Sequence, residues 1–285
     1  MFDFNDTLAD AARNAPAERV NPNRSTKKRS FRYGLIAAQI GMLIALLAAW
    51  QFSVSEKNLL YFSRPDLVLS RLYELLSGPE IYRHIEVTLS EIAIGYGLGA
   101  AAGLVLGLIL GRIQFLSDLL QPYIIAMYSI PKVALAPLFI VWLGLGIHSK
   151  VAVVAVMTFF LVFFNTYSGL ITANEELVRL ARLMGASWAQ TVRRVILPAA
   201  APQIFIGLKT AVPYAVIGAV IGEYIGANEG LGHFILYASQ TYDAPALFAG
   251  IVILVSIVFV VNYVLNKLEA RAMRWRRTSQ TTIQL

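Results

Sequence analysis

The chain of 285 residues contains no cysteine. Disulfides, thiolate nucleophiles and cysteine-bearing metal sites are thereby excluded, and the redox compartment is left open. Histidine is nearly as scarce: His84, His148 and His233 are the only three, scattered without metal-ligand spacing. Charge is thin as well, at 14% of residues, against roughly 25% in a soluble domain. No G-x-x-x-x-G-K-[ST] run is present, so the chain lacks a Walker loop to cradle ATP phosphates, and no G-x-S-x-G or H-E-x-x-H marks hydrolytic chemistry. No repeat divides the sequence into related halves, as in many secondary carriers. Any energy for work must come from a partner.

What the sequence has in excess is apolar length. Hydrophobic residues are 57% of the chain, and runs of about 20 residues, enough to cross a bilayer, are expected at 35–54, 87–110, 119–145, 151–172, 203–225 and 244–265. Six spans put both termini on one side. Lysine and arginine choose the side: the termini, Arg112 and the segment 177–198 together hold seventeen, while Lys57, Arg64, Arg71, Arg83 and Lys150 make five on the other face. The positive-inside rule makes the richer face cytoplasmic. The net charge of +7 therefore reads as topology and attraction to anionic lipid. The basic residues flank spans without interleaved aromatics, so nucleic acid is not an expected partner. Residues 1–34 are expected as a flexible basic tail, 35–268 as the membrane domain and 269–285 as a second basic tail.

Inside the apolar runs, a few residues stand out. Pro122, Pro131 and Pro137 interrupt the third span, and an interior proline costs a helix about 3 kcal/mol. Irregular backbone at membrane depth survives where it lines a cavity or packs inside protein, so this span is a candidate wall of a solute path. Glu91, Lys132, Lys209 and Glu223 lie in or at the edges of spans, where facing lipid costs roughly 3 kcal/mol each. Pro131, Lys132, Pro137 and Glu223 are the candidate path residues; Lys209 is within snorkelling reach of the cytoplasm. Gly95, Gly99, Gly103, Gly107 and Gly111 recur every four residues, a face on which another helix, from the same protomer or a second one, should pack closely.

The segment 177–198, LVRLARLMGASWAQTVRRVILP, carries the clearest functional pattern. Leu177, Leu180, Ala181 and Met184 follow the spacing of one apolar helix face. Gly185 interrupts that helix; Trp188, Val192 and Val195 form a second stripe, Arg193 and Arg194 add charge, and Pro198 is expected to stop or kink the chain. Two small amphipathic helices at a membrane surface suit docking, not catalysis.

This segment resembles the cytoplasmic EAA loop of ABC importer permeases, in which EAA is followed by three residues, Gly, nine residues and I-x-L-P. Ala181, Gly185 and the run Val195-Ile196-Leu197-Pro198 fall in register, while Arg179 and Leu180 stand where Glu and Ala are usual. The stretches IPKVALAPLFIVWLGLGIHSK, 130–150, and GEYIGANEGLGHFI, 222–235, are similar to those of permeases in the nitrate, sulfonate, taurine and bicarbonate importer family. The resemblance implies an all-α membrane subunit of type I importer architecture in a bacterial inner membrane, with the coupling loop at 175–198. It also implies a homodimer, two separate ATPase subunits that hold ATP and Mg, an external substrate-binding protein, and a small solute such as a sulfonate, nitrate or related organic acid. The residues it places at the ATPase are Ala181, Met184, Gly185, Ala186, Trp188, Arg193, Arg194, Leu197 and Pro198. A carrier or channel using Glu91, Lys132 and Glu223 as an ion relay is the rival reading; it has no need of a glycine-hinged docking loop.

Overall fold

The computed structural model describes residues 23–55, 61–172 and 175–274, and among them all regular structure is helical. Residues up to Ser53 form one unit and residues from Val54 onward a second. The first unit is α1, Asn23–Ser53, whose part Gly34–Ser53 is long and apolar enough to cross a membrane. The helix takes in residues 23–34, expected as tail, because no Pro or Gly stands between Asn23 and Gly34 to stop it. Residues 1–22 and 275–285 of the two expected tails lie outside the described residues.

The second unit is built on a pair of helices, α3 (Glu80–Leu110) and α6 (Ile147–Ile171), with α9 (Leu197–Gly226) packed against both. The glycine face of α3 explains the pairing, and it lies within the protomer. A Cβ on Gly99 would stand 2.3 Å from the Ala155 carbonyl oxygen of α6; on Gly95 it would meet Val154 at 2.5 Å and on Gly103 the Phe159 carbonyl at 2.7 Å. Only a bare backbone fits that seam. Gly97, two residues on and so on the opposite side of the helix, has nothing within 4 Å of an added Cβ. Gly99→Ala should therefore lower the thermal midpoint in detergent by an amount reflecting about 1–3 kcal/mol of overpacking, while Gly97→Ala leaves it unchanged; equal midpoints would disprove the seam.

The core lies between these helices and two later ones, α10 (Leu231–Gln240) and α11 (Ala244–Ala272), where Ile92, Val154, Ala219, Leu231, Ile235 and Ile253 are buried together. A short helix α2 (Pro65–Ser77) is tied to the start of α11 by Arg71, which donates to Asp243 at 3.1 Å. Neither α2 nor α10 is long enough to span, and apolar run length did not reveal them.

The third span is not one helix. Helices α4 (Gln114–Ser129) and α5 (Ala136–Leu143) meet at 82° across a short 3-10 turn, Lys132–Leu135. Pro131 causes the break: the residue before a proline avoids helical backbone, and Ile130 is extended, with φ −66° and ψ 129°. Pro137 starts α5, where a missing N–H costs nothing, and Pro122 is carried inside α4. Counting the bent pair once, six candidate spans lie among the described residues.

Candidate functional site

The segment after α6 folds as two short helices and then runs into α9. Helix α7 spans Glu175–Leu183 and α8 spans Trp188–Thr191. Gly185 joins them at φ +79°, a left-handed conformation that glycine adopts without penalty. Its N–H donates to Arg182 and that of Ala186 to Ala181, both at 3.0 Å, the paired bonds by which helices end on a glycine. Nothing lies within 4 Å of an added Cβ at Gly185. The glycine is thus required by backbone shape and not by crowding.

The next helix starts with a capping box that spacing alone could have revealed, Ser187-x-x-Gln190. The Ser187 hydroxyl accepts from the Gln190 N–H at 3.3 Å, and the Gln190 side chain accepts from the Ser187 N–H at 2.9 Å. Past α8 the chain does not stop at Pro198. A wide π turn, Val192–Ile196, leads straight into α9, with Pro198 in its first turn. A proline ring clashes with the carbonyl four residues back, here Arg194, and a wider turn gives that carbonyl room.

The apolar stripe of α7 comes together as expected, but the second stripe divides. Leu177, Leu180, Ala181 and Met184 line an open groove of about 470 Å³ with Arg194, Val195, Pro198 and Ala199. Trp188 is not among the groove residues; its ring lies under the Arg112 guanidinium, 4.4 Å from the ring centroid. Met184 and Trp188 remain 80% and 66% exposed. Arg193 is exposed beside them, and Leu197 is half-buried at the start of α9. Apolar side chains and arginines thus share the exposed surface of this loop.

A second cluster sits at the opposite end of the bundle. Glu223 of α9 is 1% exposed. Its carboxylate accepts from the Thr88 hydroxyl of α3 at 2.6 Å and from the Gly232 N–H, while the Leu231 N–H donates to Thr88 at 2.7 Å. Glu223 and Thr88 together cap the N-terminus of α10. Gly230 and Gly232 make the room: an added Cβ would stand 2.3 and 2.6 Å from carboxylate atoms of Glu223. Beside it Glu91 of α3 pairs with Lys150 of α6 at 3.2 Å, their side chains 1% and 8% exposed. Lys150 was expected among loop charges on the sparse face; it is instead buried in the first turns of α6, since a boundary lysine has a four-carbon stem that can fold inward to a carboxylate.

The two remaining intramembrane cations also have partners. Lys209 of α9 donates to Glu269 and to Asn266 of α11, the latter at 3.0 Å, so it links two helices instead of snorkelling. Lys132 follows the break of the third span. Its ammonium donates to the Tyr128 carbonyl at the end of α4 and lies 3.9 Å from the Tyr128 ring centroid and 5.1 Å from that of Phe160. A cation at a helix C-terminus compensates the carbonyls freed there.

A buried ion pair between α3 and α6, a span broken at Pro131 and five further apolar helices among the described residues define an all-helical membrane protein. A structure of the inward-facing MetNI methionine ABC transporter has the same fold, with a TM-score of 0.60 at 22% identity over 68% of this chain and 95% of that one. The chain belongs to the family of binding-protein-dependent transport system inner membrane components, which it matches over residues 103–274. It is 36% identical to the formylaminopyrimidine transport permease protein ThiX of Halalkalibacterium halodurans, over 82% of this chain and 94% of that protein. It is 29% identical to the putative aliphatic sulfonates transport permease protein SsuC of Bacillus subtilis, over 93% and 94%. The protein is thus a permease subunit of an ABC importer and not an enzyme.

Proposed function

We propose that two copies of this chain form the membrane path of an importer for a small organic anion, driven by two cytoplasmic ATPase subunits and supplied by an external binding protein. The docking loop carries the reading. An apolar groove beside exposed Met184 and Trp188 suits a protein partner, and the chain itself has no Walker loop. ATP and Mg therefore belong to the partner. Closure of the ATPase pair moves the two loops, and the spans packed on them exchange inward for outward access. The exposed break at Ile130 and Pro131 supports pairing of two copies, because irregular backbone at membrane depth needs protein or water against it.

The excess of lysine and arginine on the loop face supports an orientation with both termini on the cytoplasmic side of the membrane. The natural absence of cysteine makes the test direct. A single cysteine at exposed Ser77 should react with an impermeant thiol reagent in intact cells, whereas one at exposed Ser187 should react only after the membrane is opened. Ser149 is buried and unsuited to labelling. Labelling of Ser187 from outside would overturn the topology and the docking role together.

The Lys132 ammonium favours an anion of the sulfonate, nitrate or organic acid kind. A heteroaromatic solute is the second reading, favoured by the rings of Tyr128 and Phe160 at the same lysine and of Phe164 against Tyr128. Lys132→Met should lower anion uptake severalfold with ATPase association unchanged, since attraction is lost without added bulk. Unchanged anion uptake at every concentration, with competition by an aminopyrimidine, would select the heteroaromatic reading.

A further inference from the structure

The elbow Gly111 to Ile113 between α3 and α4 brings a second basic element to the docking loop, distant in sequence. Arg112 lies over the Trp188 ring, 4.4 Å from its centroid, and its Nη1 is buried with no hydrogen-bond partner among the described residues. Burial first, and then the charge of Arg182 in the last turn of α7, hold its guanidinium below the ordinary arginine value. A guanidinium presents five donors in a fixed fork. Leaving one buried and unmet costs free energy, and setting a second arginine nearby adds repulsion. Both costs vanish if an anion sits between Arg112 and Arg182.

We infer that Arg112 and Arg182, with Trp188 as floor, form a seat for an acidic side chain of the ATPase subunit. This rests on the reading of the loop as the ATPase dock and gives that partner its chemistry. The incoming surface places a carboxylate between the two arginines and an apolar side chain in the adjoining groove beside Leu180, Met184 and Val195. Charge complementarity supports this occupant. Arg179, Arg182, Arg193 and Arg194 outnumber Glu175 and Glu176 on the same short loop, so an acidic partner is attracted and a basic one is repelled. The Arg112 contact also gives the seat a route into the bundle. Arg112 directly follows the glycine seam, in which Gly111 faces Leu170 of α6 at 2.8 Å from an added Cβ.

The test uses the whole complex, permease with the ATPase that copurifies, in detergent. Arg112→Met and Arg182→Met should each weaken ATPase association by about tenfold or more and flatten its dependence on salt, because each removes a charge while methionine at 112 keeps apolar contact with the indole. Arg112→Lys should retain association. With a carbodiimide it should also give a new amide cross-link from residue 112 to an aspartate or glutamate of the ATPase, mapped by mass spectrometry. Wild-type affinity and salt dependence in both methionine variants, while Gly185→Val and Trp188→Ala release the ATPase, would leave the dock standing and overturn the acidic seat. Wild-type affinity in detergent with loss only in vesicles of anionic lipid would give the seat to a lipid phosphate and equally overturn it. Full association in the loop variants as well would remove the dock itself.

Discussion

Replacing Glu223 with Ala should destabilise the whole outer end of the bundle, and not merely slow transport. The side chain is 1% exposed, and its removal leaves the Thr88 hydroxyl and the Gly232 N–H without their acceptor. Leaving a buried donor without its acceptor costs about 1–3 kcal/mol, enough to shift the thermal midpoint by several degrees and to reduce the yield of monodisperse protein. Gly232→Ala should act through the same contact, since its Cβ would fall 2.6 Å from the Glu223 carboxylate. The double variant should then be less damaged than the sum of the two single ones, because the carboxylate part of the clash disappears and only the Val220 backbone, 3.0 Å away, remains. Normal stability of Glu223→Ala together with lost uptake would return Glu223 to the solute path, where its place inside a span first suggested it belongs.

Glu223 shows what a sequence alone leaves hidden. A lone intramembrane glutamate is a functional hypothesis because its cost in lipid is known, but a run of residues does not display its partners. Thr88 is 135 positions from Glu223 in the chain. The stretch 222–235 resembles its relatives in sequence, but only the fold shows that its glycines admit a carboxylate. The Glu91 and Lys150 pair was hidden for the same reason, and Lys150, at a span boundary, was counted with the loops. Periodic features fared better. The glycine face of α3 was legible because a repeat of four specifies a face whatever it meets, and the structure only added that α6 is the partner. The apolar stripe from Leu177 to Met184 was legible likewise. Its companion was not: the π turn at Val192–Ile196 breaks regular helical spacing, so Trp188 and Val195, drawn on one face of an ideal helix, serve different contacts. Pro131 announced a break, though the 82° turn belongs to packing that no proline specifies.

The other large effect is expected at Gly185. Its φ of +79° costs an ordinary L-residue about 1–2 kcal/mol, and a β-branched residue more, so Gly185→Val should replace the turn between α7 and α8 with another backbone path. Nothing packs on the position, hence the spans should still insert and the fold should keep its midpoint; what changes is the angle at which Met184 and Trp188 are presented. Loss of ATPase copurification, or hydrolysis continuing without uptake in proteoliposomes, is the expected result. Trp188→Ala should weaken the same association, by about 2 kcal/mol or more if the exposed indole is an interface anchor, and should also release Arg112 from its stack. The two variants disturb the loop by unrelated means, one through backbone and one through a side chain. If both retain wild-type copurification, hydrolysis and uptake, the loop is not the coupling element, and the arginines and apolar groove around it must answer to another partner.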